Sequence, residues 1–412
     1  MTGDPPDPSS HKDDTAMIGE HLHQYLRHYL AFQASQEMRE MYLSSAIRNF
    51  AVGAVGIFVP IYLFTLGFAI REILLFYLAV SVSYLLLLPL SGKLCRRHGY
   101  EHTILYSSPF LILYYLSLFA IPHHQAFIAA AAVMLAVQKA LYWPGFHANF
   151  AAWSRSDEGG REVSNRTAIN ALAASFAPAI GGLVIAAWGF GALFIAVTVL
   201  VLLSNVPLLR TPELRADRPF SYRVALSRLI ERGNRRQLLT FIGFGEEFIT
   251  LVLWPIFIAI MIPSLFSLGA IIALSRLINV IVTLYVGRLT DEDRPRQVLY
   301  SGTFYTVMSW LVRPLITGGL GVFLIDAFYR ISRNMTMVPL LAIHNEDARN
   351  HDVMETTILF LMALTLGKIA AILVTLGLVR LFPDDPWTAI FVTAAVFTGL
   401  FALMKKRPPV AA

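Results

Sequence analysis

ILLFYLAVSVSYLLLLPL, residues 73–90, has no charged side chain and shows water no polar face at helical period. A helix of a soluble protein keeps one side wet, so this one reads as lipid-solvated; roughly 20 such residues at 1.5 Å rise cross a bilayer core of about 30 Å. Outward from it, similar stretches recur at approximately 46–68, 73–94, 103–121, 126–146, 167–188, 190–209, 238–261, 265–287, 297–317, 319–342, 354–379 and 387–404, here called spans 1 to 12. The composition agrees, since 56% hydrophobic and 15% charged residues leave too little charge for a soluble surface of 412 residues. The expected fold class is an all-α membrane protein with twelve transmembrane helices in two six-helix halves.

Basic residues fix the orientation. Lys93, Arg96 and Arg97 follow span 2, Arg155, Arg161 and Arg166 follow span 4, eight arginines from Arg210 to Arg236 follow span 6, Arg288, Arg294 and Arg296 follow span 8, and Lys405, Lys406 and Arg407 follow span 12. The other joints hold little beyond Arg71 and Arg380, with Arg313 just inside the end of span 9. Both termini are expected in the cytoplasm, of a plasma or inner membrane. The net charge of +6 is absorbed by this asymmetry, facing anionic lipid, and calls for no nucleic acid. A lone Cys95 excludes an internal disulfide.

The expected organisation is a tail and amphipathic helix over 1–45, a six-helix bundle over 46–209, a cytoplasmic loop over 210–237, a second bundle over 238–404 and a tail over 405–412. The acidic, Pro-rich opening is not read as a signal peptide, and residues 1–16 are expected to be disordered. His21, His23 and His28 lack a ligand set, and no metal is expected.

The two halves repeat. Trp254-Pro255-Ile256-Phe257 answers Val59-Pro60-Ile61-Tyr62 at an offset of 195 residues, and the segment from Gly287 answers that from Gly92 at the same offset. Asp326-Ala327-Phe328-Tyr329 answers Lys139-Ala140-Leu141-Tyr142 at an offset of 187. Duplicated bundles of this kind commonly rock about a shared central site.

GKLCRRHG (Gly92–Gly99) and GRLTDEDR (Gly287–Arg294) resemble the paired loop signatures, roughly G-x-L-x-D-R-x-G-R-K, of the major facilitator superfamily. AASFAPAIGG, residues 173–182, resembles a loosened form of a helix motif found in its exporters. The resemblance covers residues 46–404 and implies gating roles for Gly92, Arg96, Arg97, Gly99, Gly287, Asp291 and Arg294. Arg96 stands where the family's first copy carries Asp, so the usual charge relay of that gate is expected to be missing. The resemblance also implies that spans 1, 4, 7 and 10 line a central cavity while spans 3, 6, 9 and 12 face lipid.

Ionisable groups at bilayer depth are expensive and therefore functional candidates. Glu246 and Glu247 lie roughly 12–14 Å in from the cytoplasmic end, Lys139 roughly 10 Å in from that end, and Asp326 roughly 10 Å in from the other. Adjacent carboxylates point about 100° apart, so one of the Glu pair faces the cavity and the other a neighbouring helix, with Arg276 as a plausible partner. Asp326 and Arg330 are spaced for a local ion pair. Glu246, Glu247 and Asp326 are the coupling candidates, Lys139 a counter-charge or an anchor for an anionic group, and Tyr142 and Asn49 further cavity residues. Lys368 of span 11 is a charge the scheme does not explain. Trp254, Trp310 and Tyr329 are read more readily as packing or interfacial anchors than as pocket walls.

No G-x-x-x-x-G-K-[ST] run occurs, which argues against ATP drive, and no hydrolase motif occurs. The function expected is secondary active transport of a small solute by alternating access, proton-coupled, without cofactor, by a monomer. The alternatives are an uncoupled exchanger or facilitator, a transport-inactive sensor, and a membrane enzyme acting on lipid-linked substrates, for which His344–Asp352 (HNEDARNHD) would be the surface cluster; the sequence more readily makes that segment a repeated joint.

Overall fold

Nearly every apolar stretch becomes helix because a bilayer leaves the backbone no water to bond, so each N–H must find its carbonyl within the segment. The computed structural model describes residues 36–153, 159–208, 227, 235–291, 295–350 and 352–404, and among them no strand occurs. Span 1 is Gln36–Val55 followed by Phe58–Thr65, span 2 Ile70–His98, span 3 Tyr100–Ala120 and span 4 Phe127–Trp153. Spans 5 and 6 form one run, Gly159–Leu208, bent at Gly189, where φ is +79° and a side chain would be strained. Span 7 is Arg235–Met261 in broken pieces, span 8 Leu265–Asp291, span 9 Pro295–Val312, span 10 Gly318–Asn350, span 11 Val353–Leu381 and span 12 Trp387–Gly399 with a closing turn.

Seven helices are long and apolar enough to cross a membrane, and the run Ala171–Val206, 36 residues, is long enough for two crossings about its bend. Spans 8 and 12 show as shorter apolar helices, and spans 9 and 10 complete the twelve. Helix ends overrun the apolar stretches where polar residues carry the backbone ladder on: span 4 continues to Trp153 and span 10 to Asn350. The first helix begins at Gln36 and runs unbroken through the expected boundary at residue 45; residues 1–35 and most of the expected loop 210–237 lie outside the described residues.

The repeat is visible in the backbone. Pro60 and Pro255 lack an N–H and crowd the carbonyl four residues earlier. Span 1 accordingly breaks at Gly56-Ile57, and span 7 widens over Ile249–Leu253 into a π turn in which the Trp254 N–H donates to the Ile249 carbonyl.

Two apolar layers join the halves. One unites Ala51–Leu63 of span 1 with Phe248–Ile258 of span 7, and there the Tyr77 and Phe248 rings meet at 5.9 Å. The other, on the predicted cytoplasmic side, unites Tyr84 and Leu88 of span 2 with Met354–Ala363 of span 11, and His147 of span 4 meets Phe360 at 5.6 Å.

Candidate functional site

Glu246 is fully buried, at 0% exposure. Both of its carboxylate oxygens accept hydrogen bonds: Arg333 Nε donates to Oε1 at 2.7 Å, while Tyr329 Oη at 2.8 Å and Thr250 Oγ1 at 3.0 Å donate to Oε2. Asp326, also at 0% exposure, receives Arg330 Nε at 2.7 Å and Trp254 Nε1 at 3.1 Å. A carboxylate saturated in this way sits in low dielectric at tolerable cost. The i,i+4 pair expected from the sequence is present.

Glu247 differs. Its side chain is 28% exposed, and it pairs with Lys368 Nζ at 2.7 Å and with Arg333 Nη2 at 3.8 Å. Lys368, unexplained by the sequence, is thus the partner that span 11 brings to span 7. Gly367 makes the approach possible, since a Cβ there would meet the Ile242 carbonyl at 2.3 Å. Arg276 does not serve the Glu pair; its Nη1 donates to the Ala174 carbonyl of span 5 at 3.0 Å, inside the loosened exporter-like stretch.

Across the interface, Lys139 is half-buried, makes no hydrogen bond or ion pair among the described residues, and lies within electrostatic reach of Lys368 and Glu247. Three residues further along the same face of span 4, the Tyr142 ring carries the Arg48 guanidinium 4.1 Å above its centre. Arg48, buried, donates to Ser108 Oγ at 3.2 Å and to Ser107 Oγ at 3.4 Å, and Ser108 passes its own proton to Asn205 Oδ1 at 2.8 Å. Asn49 is half-buried and makes no side-chain hydrogen bond among the described residues.

Arg313 was expected near the membrane surface. It is instead at 0% exposure, with its Cζ 3.6 Å from the Trp310 ring centre, 3.9 Å from Trp254 and 4.6 Å from Tyr329. None of its three nitrogens has a hydrogen-bond partner among the described residues. Trp254 and Trp310 are therefore walls around a buried cation and not interfacial anchors. Span 9 turns a charge inward where the sequence suggested a lipid-facing helix.

At the predicted cytoplasmic end, Gly92 and Gly99 are buried and Arg97 is exposed. Gly99, at φ +90°, closes span 2 by donating its N–H to the Cys95 carbonyl at 2.9 Å. Arg96 is not idle. It forms an ion pair with Asp352, which also caps span 11 by accepting the Glu355 N–H at 2.9 Å. This ion pair latches the cytoplasmic end of span 2, as predicted from the basic joints, to the start of span 11, and the Asp352 end of the polar joint serves it. The surroundings of Gly287, the side chain of Asp291, and Arg294 altogether lie outside the described residues.

The fold is a duplicated bundle of twelve helices that carries paired charges in its interior. The family model of the Major Facilitator Superfamily matches residues 41–372, and the chain belongs to that superfamily of secondary transporters. No protein of curated function matches it in sequence. Among solved structures it is similar to a fucose:proton symporter of E. coli, at 13% identity and a TM-score of 0.63, the match covering 89% of this chain and 97% of that one. It is similar also to a D-xylose-proton symporter, at 12% identity and the same TM-score of 0.63, over 88% of this chain and 96% of that one. At such identities the likeness establishes the fold.

Proposed function

We propose that the chain is a proton-coupled transporter of a small solute, working by alternating access, in which Glu247 carries the proton. The observation that supports this most is the difference among the three interior carboxylates: Glu246 and Asp326 are sealed at 0% exposure, while Glu247 is 28% exposed. A proton can reach only a group that water reaches. The groups facing Glu247 are Lys368 of span 11, Arg333 of span 10, and Lys139 and His147 of span 4, with Glu246 beside it on span 7. Protonation cancels the carboxylate and frees the Lys368 ammonium, so proton binding alters the charge presented to the solute. The two solved relatives named above are described as proton symporters, which accords with this reading. Glu246 and Asp326 then hold spans 7 and 10 together, and Arg333, shared by both glutamates, couples that scaffold to the proton site.

The test is uptake into proteoliposomes with and without an imposed pH gradient. Glu247→Gln is expected to abolish gradient-driven accumulation while exchange of solute across the membrane persists. Gradient-driven accumulation by Glu247→Gln equal to wild type would overturn the role of Glu247, and a wild type indifferent to the pH gradient would identify an uncoupled exchanger instead.

A further inference from the structure

We propose that the solute carried is an organic anion, and that its carboxylate or phosphate binds between Lys139 and Arg48 of the N-terminal half; this rests on the transporter reading above. The charge balance leads there. Away from the helix ends, with buried Arg313 included, the described residues of the bundle interior hold seven cationic side chains, Arg48, Lys139, Arg276, Arg313, Arg330, Arg333 and Lys368, against three carboxylates, Glu246, Glu247 and Asp326. All three carboxylates belong to the C-terminal half and are already paired with Arg330, Arg333 and Lys368. In the N-terminal half, among the residues whose side chains are described, the only acidic ones are Glu72 and Glu101 in the first turns of spans 2 and 3, and neither pairs with Arg48 or Lys139.

Two unmatched cations at this depth are costly, and a protein keeps them only where a counter-charge arrives. The pair is arranged to receive one. Tyr142 aligns them along one face of span 4, with Arg48 over its ring and Lys139 one turn away. Arg48 spends its hydrogen bonds only on the hydroxyls of Ser107 and Ser108, at 3.4 and 3.2 Å, weak partners that a carboxylate or phosphate outcompetes. Lys368 faces Lys139 from the other half, and an anion between them turns mutual repulsion into a bridge across the interface. A neutral solute leaves that repulsion in place, and a cation adds to it. Protonation of Glu247 releases Lys368 to the same anion, so the proton and the anion favour each other's binding.

The experiment is thermal unfolding of the purified full chain in detergent with succinate, benzoate, glucuronate or inorganic phosphate, each beside a neutral control (succinamide, benzamide, glucose) and with choline as the cationic control. At least one anion is expected to raise Tm by on the order of 5 °C near saturation, with no shift from the controls. Lys139→Gln should lose the shift and Lys139→Arg keep it. Because Lys139→Gln removes an unpartnered interior charge, its ligand-free Tm should equal or exceed that of wild type, which separates lost binding from lost fold. A panel in which no anion shifts Tm, a control that shifts it as much as its anion, or an anion shift that survives in Lys139→Gln overturns the assignment. A shift from glucose or choline alone removes the anion and leaves the transporter. Anion shifts without any movement of solute into vesicles would remove the transporter and leave the anion site.

Discussion

Arg313 brings five N–H donors into a volume whose walls are the rings of Trp254, Trp310 and Tyr329, and none of its nitrogens finds an acceptor there. Desolvating such a cation costs several kcal/mol, against about 2 kcal/mol from a desolvated ring contact, so the rings do not offset it alone. Glu246 and Asp326, both within its electrostatic reach, offset part of the rest, and Arg330 adds to the cost. Replacing it with an apolar side chain of similar length removes the cost along with the charge. Arg313→Met should therefore be neutral or stabilising by about 1–3 kcal/mol in detergent, and should slow transport because the field around both sealed carboxylates changes. A large loss of thermal stability would show that the ring contacts outweigh desolvation. The sequence showed which residues to weigh but only some of their partners. Asp326–Arg330 was legible because four residues make one helical face. Glu247–Lys368 and Arg313 with its three rings each join different spans, and no spacing along the chain encodes which faces of two helices meet.

The helices themselves were the most legible part, because unbroken apolarity over a bilayer's thickness has one backbone solution. Their breaks were not: prolines 60 and 255 were read as marks of the repeat, and the sequence did not show that one would give a two-residue turn and the other a π turn. The latch between span 2 and span 11 is an element-scale device that the spacing of residues along the chain did not reveal. Burial opposes charge on Asp352, but the Arg96 hydrogen bond, the Glu355 N–H and the Arg96 charge outweigh it and hold the carboxyl below its ordinary range. A depressed value means the stabilisation is fully present above the unfolded value of about 3.9 and is lost only as pH falls through the lower folded value. Asn is a good helix N-cap, so Asp352→Asn keeps the cap and removes the ion pair. It should cost about 1–3 kcal/mol, and Arg96→Gln about the same. The Tm difference from wild type should stay flat between pH 5 and 8; a difference that shrinks within that window would make the latch a pH sensor, which this geometry does not support.

At the scale of the whole molecule, two apolar layers join the halves, with a belt of interior charge partly set against the first of them, and the alternating access proposed above needs one layer to part while the other holds. The arginine asymmetry predicts which side is which. Reporter fusions after Arg218 and after Arg407 should read as cytoplasmic and one at Gly319 as external; a cytoplasmic reading at Gly319 would invert or remove the twelve-span arrangement. Because the belt holds cations in excess, one carboxylate open to water and a lysine bound to it, the central claim is that a proton on Glu247 and a solute between the halves bind together. Proton uptake by the purified protein in weakly buffered detergent solution, recorded as the anion that raises its Tm is added, measures this directly. Wild type is expected to take up about one proton per anion bound and Glu247→Gln none. Binding by wild type without proton uptake, or equal uptake by Glu247→Gln, would contradict the account.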